Sequence, residues 1–154
     1  MAPNFTGGTL SGSITIDGVE VVGKKPQELA ELVGYVNQQP EGSFVADTVG
    51  EELAYGLEQL GFEPAEMERR VTSYATLVGV ADLVDRPLAA LSGGQQQRVA
   101  IASAMAAGQK VLVLDEPTSA LDAASAAELV QLLGKLAKQE GITVLLAEHR
   151  LERV

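Results

Sequence analysis

An unbroken apolar run that ends in two acids constrains the fold more than any other part of this sequence. Residues 111–114 read VLVL and are followed at once by Asp115 and Glu116. Apolar residues without polar alternation are typical of a strand buried on both faces, as in a parallel sheet. Residues 142–146 (ITVLL) show the same pattern. The second half of the chain is therefore expected to contain two buried parallel strands.

A helix is predicted between these two strands. It begins after the capping residue Asp122 and ends at Gly141, because apolar residues recur between them with a helical period. Strand, helix and strand in this order predict a right-handed βαβ unit. The fold class that follows is α/β.

Local signals place the remaining elements. Asp-Gly at residues 17–18, between two alternating runs, predicts a hairpin. A T-x-x-E capping box at Thr48 begins a helix whose apolar face carries Leu53, Leu57 and Leu60. Further helices are expected over residues 64–77 and 94–107, a short strand over 34–36, and short helical segments over 26–33 and 81–84.

Charge and residue usage exclude several classes of function. The 154 residues include 21 acids and 11 bases, and the net charge of -10 disfavours binding to DNA, RNA or anionic lipid. The absence of cysteine and the single histidine, His149, exclude thiolate metal sites, cysteine nucleophiles and multi-histidine sites. No apolar run is long enough to span a bilayer, and the first residues lack a signal peptide's features. We expect a soluble, cytoplasmic chain that reaches a membrane only through a partner.

The two acids after the first buried strand are candidates for metal binding and catalysis. In open parallel sheets, ligands bind beyond the carboxyl ends of the strands. Asp115 suits Mg²⁺, which prefers carboxylate and water oxygens, and Glu116 suits the orientation of an attacking water. A polar turn that merely ends the strand is the alternative interpretation.

Residues 91–98 (LSGGQQQR) form a second candidate site. Gly93 and Gly94 allow a ligand to approach the backbone closely, and they lie where a helix is expected to begin. Free N–H groups and the helix dipole favour an anion there, and Ser92 adds a hydroxyl. An ordinary helix entry is the alternative for the SGG tripeptide alone.

Five segments, in order along the chain, resemble the motifs of ABC-type ATPases. They are the Q-loop at 36–40, the signature motif at 91–95, the Walker B strand at 111–117, the D-loop at 119–122 and the switch-histidine segment at 147–150. The resemblance covers residues 11–154 and implies a P-loop NTPase-like fold with a parallel sheet core and a helical insert. The cues at 5–8, 38–40, 45–49 and 148–152 resemble energy-coupling-factor or cobalt-type import ATPases.

The resemblance implies a role for each site residue. Asp115 would hold Mg²⁺, and Gln38 would reach the metal or the water and couple the site to a membrane partner. Glu116 would polarise the attacking water, and His149 would contact the γ-phosphate of ATP. ATP held by an opposite subunit would be contacted by Ser92, Gly93, Gly94, Gln95 and, across the same interface, Asp122. The alternatives are a solvated loop amide for Gln38 and a capping imidazole for His149.

One motif of the family has no counterpart in the sequence. A P-loop reads GxxxxGK[ST], and the nearest match is residues 18–25, GVEVVGKK. We reject this match because VEVV favours a strand, its acid repels phosphate, and Lys25 replaces a hydroxyl residue. We therefore expect a chain truncated at both ends, with the first strand, P-loop and helix missing. The strands at 111 and 142 would then lack a neighbour, and the chain alone would not hydrolyse ATP.

The partners and subdomains expected from the resemblance are those of an importer. Residues 1–39 would form a β-rich start with the Q-loop, 40–91 a helical subdomain and 92–154 the α/β part of one partial ATPase domain. A second ATPase subunit and a transmembrane subunit importing a vitamin or metal ion are the expected partners, with no nucleic acid. The helical region would bind the transmembrane subunit or serve only internal packing. The alternative functions are a non-catalytic interaction module, a chromosome-maintenance ATPase and a hydrolase that uses only the two acids.

Overall fold

A parallel sheet of three strands forms the centre of the fold. The computed structural model describes residues 11–149, without the side chains of Pro26 and Gln27, so the cues at 5–8 and 150–152 lie outside the described residues. The strands are β3 (Val33–Val36), β4 (Val111–Asp115) and β5 (Thr143–Ala147), in the order β3-β4-β5. Both pairings are parallel. The predicted parallel sheet is confirmed.

The neighbours of the two apolar strands differ from the prediction. β4 is flanked on both sides, so the expectation that the strand at 111 lacks a neighbour is wrong. β5 is paired only with β4 within residues 11–149, and none of its residues is buried. Leu145 on β5 is 54% exposed. The prediction of a second doubly buried strand is therefore wrong, because apolar composition alone does not reveal which strand lies at a sheet edge.

A small hairpin lies outside this sheet. Its strands are β1 (Thr15–Ile16) and β2 (Val19–Glu20), joined by Asp17 and Gly18. Both turn residues have positive φ, 51° and 79°, as a type I′ turn requires. The hairpin prediction is confirmed, and residues 18–25 therefore do not have the conformation of a phosphate-binding loop.

Helices follow the capping signals of the sequence closely. The helices are α1 (Pro26–Leu29), α2 (Val49–Gln59), α3 (Pro64–Val78), α4 (Gly93–Met105) and α5 (Ala123–Gln139), with 3-10 turns at Pro40–Ser43, Ala81–Leu83 and Leu88–Ala90. Thr48 caps α2 through the predicted capping box with Glu51. Leu60 lies just beyond the end of α2 and is 38% exposed, so its predicted place on the buried face is wrong. α1 is shorter than predicted because β3 already begins at Val33.

Helix α4 is the element against which most of the core packs. It contacts β3, α2, α3 and α5. Val99, Ile101 and Ala102 on α4 are fully buried. The side chains that complete this core are Val36, Val49, Leu53, Ala75, Val78, Val80, Leu88, Leu91, Met105, Leu112, Leu114, Leu129, Leu132, Leu133, Leu136 and Ile142. Among the helices of the described region, none is both long enough and apolar enough to cross a membrane.

Candidate nucleotide site

The sheet brings the carboxyl ends of all its strands to one edge. Val36 on β3 lies in register with Leu114 on β4, and Asp115 lies in register with Ala147 on β5. The segments that follow these strands carry Gln38, Glu116 and His149, so they meet at this edge although they are far apart in sequence. The expectation of a site beyond the strand ends rests on this arrangement.

Glu116 is held in a backbone conformation that is costly for a residue with a side chain. Its φ is 46°, in the left-handed region. Such a conformation costs on the order of 1–3 kcal/mol and persists where neighbours enforce it. Here the Glu116 N–H donates to the carbonyl of Ala147 (2.8 Å), and the Ser119 N–H donates to the carbonyl of Glu116 (3.1 Å). These bonds aim the Glu116 side chain into the site.

The carboxylate of Glu116 is contacted on both oxygens. Gln38 Nε2 donates to Oε2 at 3.0 Å, and His149 Nε2 lies 2.9 Å from Oε1, within hydrogen-bonding distance when that nitrogen is protonated. Gln38 Nε2 also lies 3.3 Å from the hydroxyl oxygen of Ser119. The Glu116 side chain is only 24% exposed, whereas that of His149 is 86% exposed. The geometry favours a shared site over the alternatives of a solvated amide and a capping imidazole.

Asp115 has a partner that the sequence analysis missed. Tyr35 Oη on β3 donates to Asp115 Oδ2 at 3.3 Å. Desolvation, and then the charge of Asp115, raise the pKa of Tyr35, so the phenol stays a donor at neutral pH. Only the register of β3 against β4 reveals this pair. Gln38, predicted to reach the metal, makes its hydrogen bonds to Glu116 and Ser119 instead of to Asp115.

The signature segment forms the start of α4. Ser92 is the N-cap, and its Oγ accepts from the Gln95 N–H (3.3 Å) while its own N–H donates to Gln95 Oε1 (2.9 Å). Gln95, predicted to contact nucleotide, thus uses its side-chain oxygen to close the helix end. Ser92 and Gly93 are exposed, and a Cβ on Gly93 would meet open space. The described chain therefore gives no steric reason for a glycine at position 93.

Asp122 caps the neighbouring helix, as predicted. Its Oδ1 accepts from the N–H groups of Ala124 and Ser125, each at 2.9 Å, and Oδ2 accepts from the Ser125 hydroxyl at 2.8 Å. These bonds, led by that from the Ser125 N–H, lower the pKa of Asp122. The starts of α4 and α5 lie side by side, since a Cβ on Gly94 would be 3.9 Å from the Ser125 Cβ.

Arg98 links α4 to α3 and α5. Its Nη1 donates to the carbonyl of Val78 at the end of α3 (3.1 Å), and its Nη2 pairs with Glu128 on α5 (2.8 Å). The orientation of the exposed Ser92 and Gly93 therefore depends on a guanidinium that lies further along the same motif. Arg98 belongs to the LSGGQQQR string, but no sequence pattern predicted this role for it.

Comparison with known proteins decides the family. A family model described as ABC transporter matches residues 5–119, which is most of the chain. The chain belongs to the ABC transporter ATP-binding family. Its fold is the α/β ABC ATPase fold, with a TM-score of 0.86 and 33% identity to cbiO1 from Clostridium perfringens, part of the ABC transporter complex cbiONQ. That match covers 94% of this chain and 58% of cbiO1.

Other members of the ABC transporter family are more similar in sequence. A Streptomyces avermitilis protein, provisionally named an ABC transporter ATP-binding protein, is 56% identical over 154 residues, which is 100% of this chain and 28% of that protein. The energy-coupling factor transporter ATP-binding protein EcfA1 of Streptococcus thermophilus is 42% identical over 94% of this chain and 52% of its own length. The chain thus spans between about a quarter and about a half of these two curated relatives.

Proposed function

We propose that this chain is part of an ATP-hydrolysing subunit that energises an importer of the energy-coupling-factor or cobalt type, with a vitamin or a metal ion as cargo. The observation that carries the proposal is the contact of Gln38 and His149 with the two carboxylate oxygens of Glu116. A carboxylate oriented from both sides is suited to orient a water and accept its proton. The similarity to EcfA1 and to cbiO1 supports the importer type.

ATP and Mg²⁺ are the cofactors that these residues fit. Asp115 is an exposed carboxylate directly beside Glu116 at the end of β4. Mg²⁺ is usually held by one or two carboxylates, with waters and phosphate oxygens completing its shell. Within residues 11–149 no three acidic or histidine side chains are grouped to hold a metal, so the phosphates would supply further ligands. Bound there, Mg²⁺ would neutralise phosphate charge.

The chain alone should not hydrolyse ATP, because within residues 11–149 no lysine follows the strand ends that lead to Gln38, Glu116 and His149. Lys110 directly precedes β4 and therefore lies at the opposite end of that strand from Asp115. Lys135 and Lys138 lie near the end of α5, and Lys24 and Lys25 follow the hairpin. The carboxylates at the candidate edge would repel a triphosphate that no lysine neutralises. Magnesium-dependent hydrolysis by the purified chain that Glu116→Gln abolishes would contradict this.

The start of α4 is proposed to contact ATP held by a second ATPase subunit. Exposed N–H groups and the positive end of the helix dipole attract an anion. We expect Gly93→Asp to abolish the chain's effect on an intact partner subunit, because a carboxylate there repels the γ-phosphate. Folding should not suffer, since Gly93 has open space around it and an acid is favourable at a helix start.

The measurement is the partner's affinity for ATP and its hydrolysis rate, with and without added chain. Gly134→Asp is the matched control, since it adds the same charge at an exposed position within α5 with open space around it. Loss of the effect in Gly93→Asp but not in Gly134→Asp supports the proposal. A partner that responds to neither the unchanged chain nor the variants would rule out this trans contact.

A transmembrane subunit is the other proposed partner, and it would hold the chain at the inner face of the cell membrane. A cleft of about 190 Å³ beside the Q-loop is lined by Tyr35, Phe44 and Glu52, among others. The buried Glu52 carboxylate accepts from the N–H groups of Val45 (2.9 Å) and Ala46 (3.0 Å), which fixes the rim of the cleft. Val45 itself is 63% exposed. Within the proposed helical subdomain, residues 40–91, the rim of this cleft at Val45 would thus face the membrane partner, whereas Glu68 on α3 does not line the cleft.

Cross-linking tests this face directly. The chain has no cysteine, so Val45→Cys introduces a single reactive site. We expect Val45→Cys to cross-link to the transmembrane subunit in the assembled transporter, whereas Glu68→Cys on exposed α3 should not. No cross-linking at Val45 would favour a purely internal packing role for this region, and equal cross-linking at both positions would show that the contact is not specific to the cleft rim.

A further inference from the structure

Glu148 connects two segments of the candidate site that are 30 residues apart in sequence. Its Oε1 accepts from the Thr118 backbone N–H at 3.2 Å and also from the Thr118 hydroxyl. Thr118 is completely buried, and Glu148 is half-buried. A carboxylate that receives two hydrogen bonds from one buried residue is a specific attachment between the two segments.

Thr118 lies between two residues of the candidate site, Glu116 and Asp122. Thr118 lies in the loop of residues 116–121, which begins at Glu116 and leads directly to Asp122. The described residues attach this loop to the strand ends through three contacts: the Glu116 N–H donates to the carbonyl of Ala147, Thr118 donates to Glu148, and Gln38 donates to the Ser119 hydroxyl. Of these, Glu148 is the side chain next to His149.

Glu148 is therefore connected both to the Glu116–His149 contact and to the start of α5. In the chain, Glu148 lies between the end of β5 and His149, and His149 contacts Glu116. Its carboxylate fixes the loop whose far end, Asp122, caps α5 beside the start of α4. A displacement of the loop would move Glu116 at one end and the α5 cap at the other.

We propose that Glu148 is a positioning residue that ties loop 116–121 to the segment carrying His149, so that the Glu116–His149 contact and the exposed start of α5 keep a fixed relation. This inference rests on the proposed ATPase function. In the proposed reaction, Glu148 does not contact the reacting atoms and acts only through Thr118 and His149.

Two substitutions weaken the attachment from opposite sides: Glu148→Ala removes the acceptor, and Thr118→Val removes the hydroxyl donor but keeps the backbone N–H. In the assembled ATPase, Glu148→Ala should lower kcat by about tenfold to a hundredfold, as small misplacements of catalytic groups do, and Thr118→Val by less, while KM for ATP changes much less in both. Thr118→Ser keeps the hydroxyl and should recover most of kcat. The double variant should be no slower than Glu148→Ala alone, because that substitution already removes both hydrogen bonds. Glu68→Ala, which removes an exposed carboxylate on α3, is the matched control.

Amide hydrogen exchange on this chain gives a readout that does not depend on activity. Glu148→Ala should speed exchange at Thr118 and Ser119 and leave the core amides of α4 unchanged. Unchanged exchange at Thr118, or unchanged kcat in Glu148→Ala while Glu116→Gln is inactive, would overturn the inference. If Glu116→Gln retains full hydrolysis, the proposed function fails instead, and accelerated exchange would then support only the attachment itself.

Discussion

Replacing Glu116 by glutamine should lower kcat for ATP hydrolysis by about 10²- to 10⁴-fold in the assembled ATPase, the range that general acid–base groups contribute. A neutral amide cannot accept the proton of the attacking water. The Glu116 carboxylate is also the shared partner of Gln38 Nε2 and His149 Nε2, so the amide would disturb both contacts. Binding of ATP should survive, because Asp115 and the start of α4 are unchanged.

The structure allows this loss to be separated from misfolding. Glutamine has the same left-handed backbone cost as glutamate at φ 46°, so thermal unfolding of the Glu116→Gln chain should resemble that of the unchanged chain. Single-turnover hydrolysis and nucleotide binding are the measurements, with Glu68→Gln as control. A Glu116→Gln protein that hydrolyses ATP at the original rate would exclude Glu116 as the catalytic base.

Local chemistry explains which parts of the fold could be predicted from the sequence. The capping box at Thr48 and the Asp-Gly turn at 17–18 are decided by neighbouring residues, and both are present in the structure. The capping box between Ser92 and Gln95 was not predicted. The burial of β5 was predicted wrongly because it depends on which strands flank it. Leu60 was placed wrongly because α2 ends one residue earlier than its apolar pattern.

Some residues of the candidate site could be predicted from the sequence and others could not. Residues that follow strands, such as Asp115 and Glu116, could be located from the sequence because parallel strands end at one edge. Tyr35 and Glu148 could not, since their contacts with Asp115 and Thr118 depend on strand register and loop path. Resemblance to a family names the residues that recur in its motifs, whereas these partners are visible only in three dimensions.

Among glycine-to-alanine substitutions in the described residues, Gly34→Ala should lower the free energy of unfolding the most. Gly34 is buried on β3, facing α4, and a Cβ there would overlap the carbonyl oxygen of Ala104. The atoms that would clash are backbone atoms of Ala104, so no flexible side chain can move aside to relieve the overlap. Overpacking in a well-packed core costs about 1–3 kcal/mol, and a backbone clash belongs at the upper end, so we expect the free energy of unfolding to fall by about 2–3 kcal/mol.

Gly56→Ala is the matched control for this prediction. Gly56 lies within α2, where a Cβ would meet nothing within 4 Å. Alanine is the better helix former, so the free energy of unfolding should rise by up to about 1 kcal/mol. Urea unfolding of the two variants should therefore shift in opposite directions, and a Gly34→Ala chain as stable as the original would show that α4 does not pack so closely on β3.

The same substitution connects packing to the site. β3 leads directly from Gly34 through Tyr35 to Gln38, so a β3 pushed away from α4 would displace the partners of Asp115 and Glu116 together. We expect the folded fraction of Gly34→Ala to lose hydrolysis in the assembled ATPase as well as stability, whereas Gly56→Ala should change stability alone. Full activity per folded molecule in Gly34→Ala would mean that the site tolerates movement of β3, and that the loop at 116–121 orients Glu116 without help from Gln38.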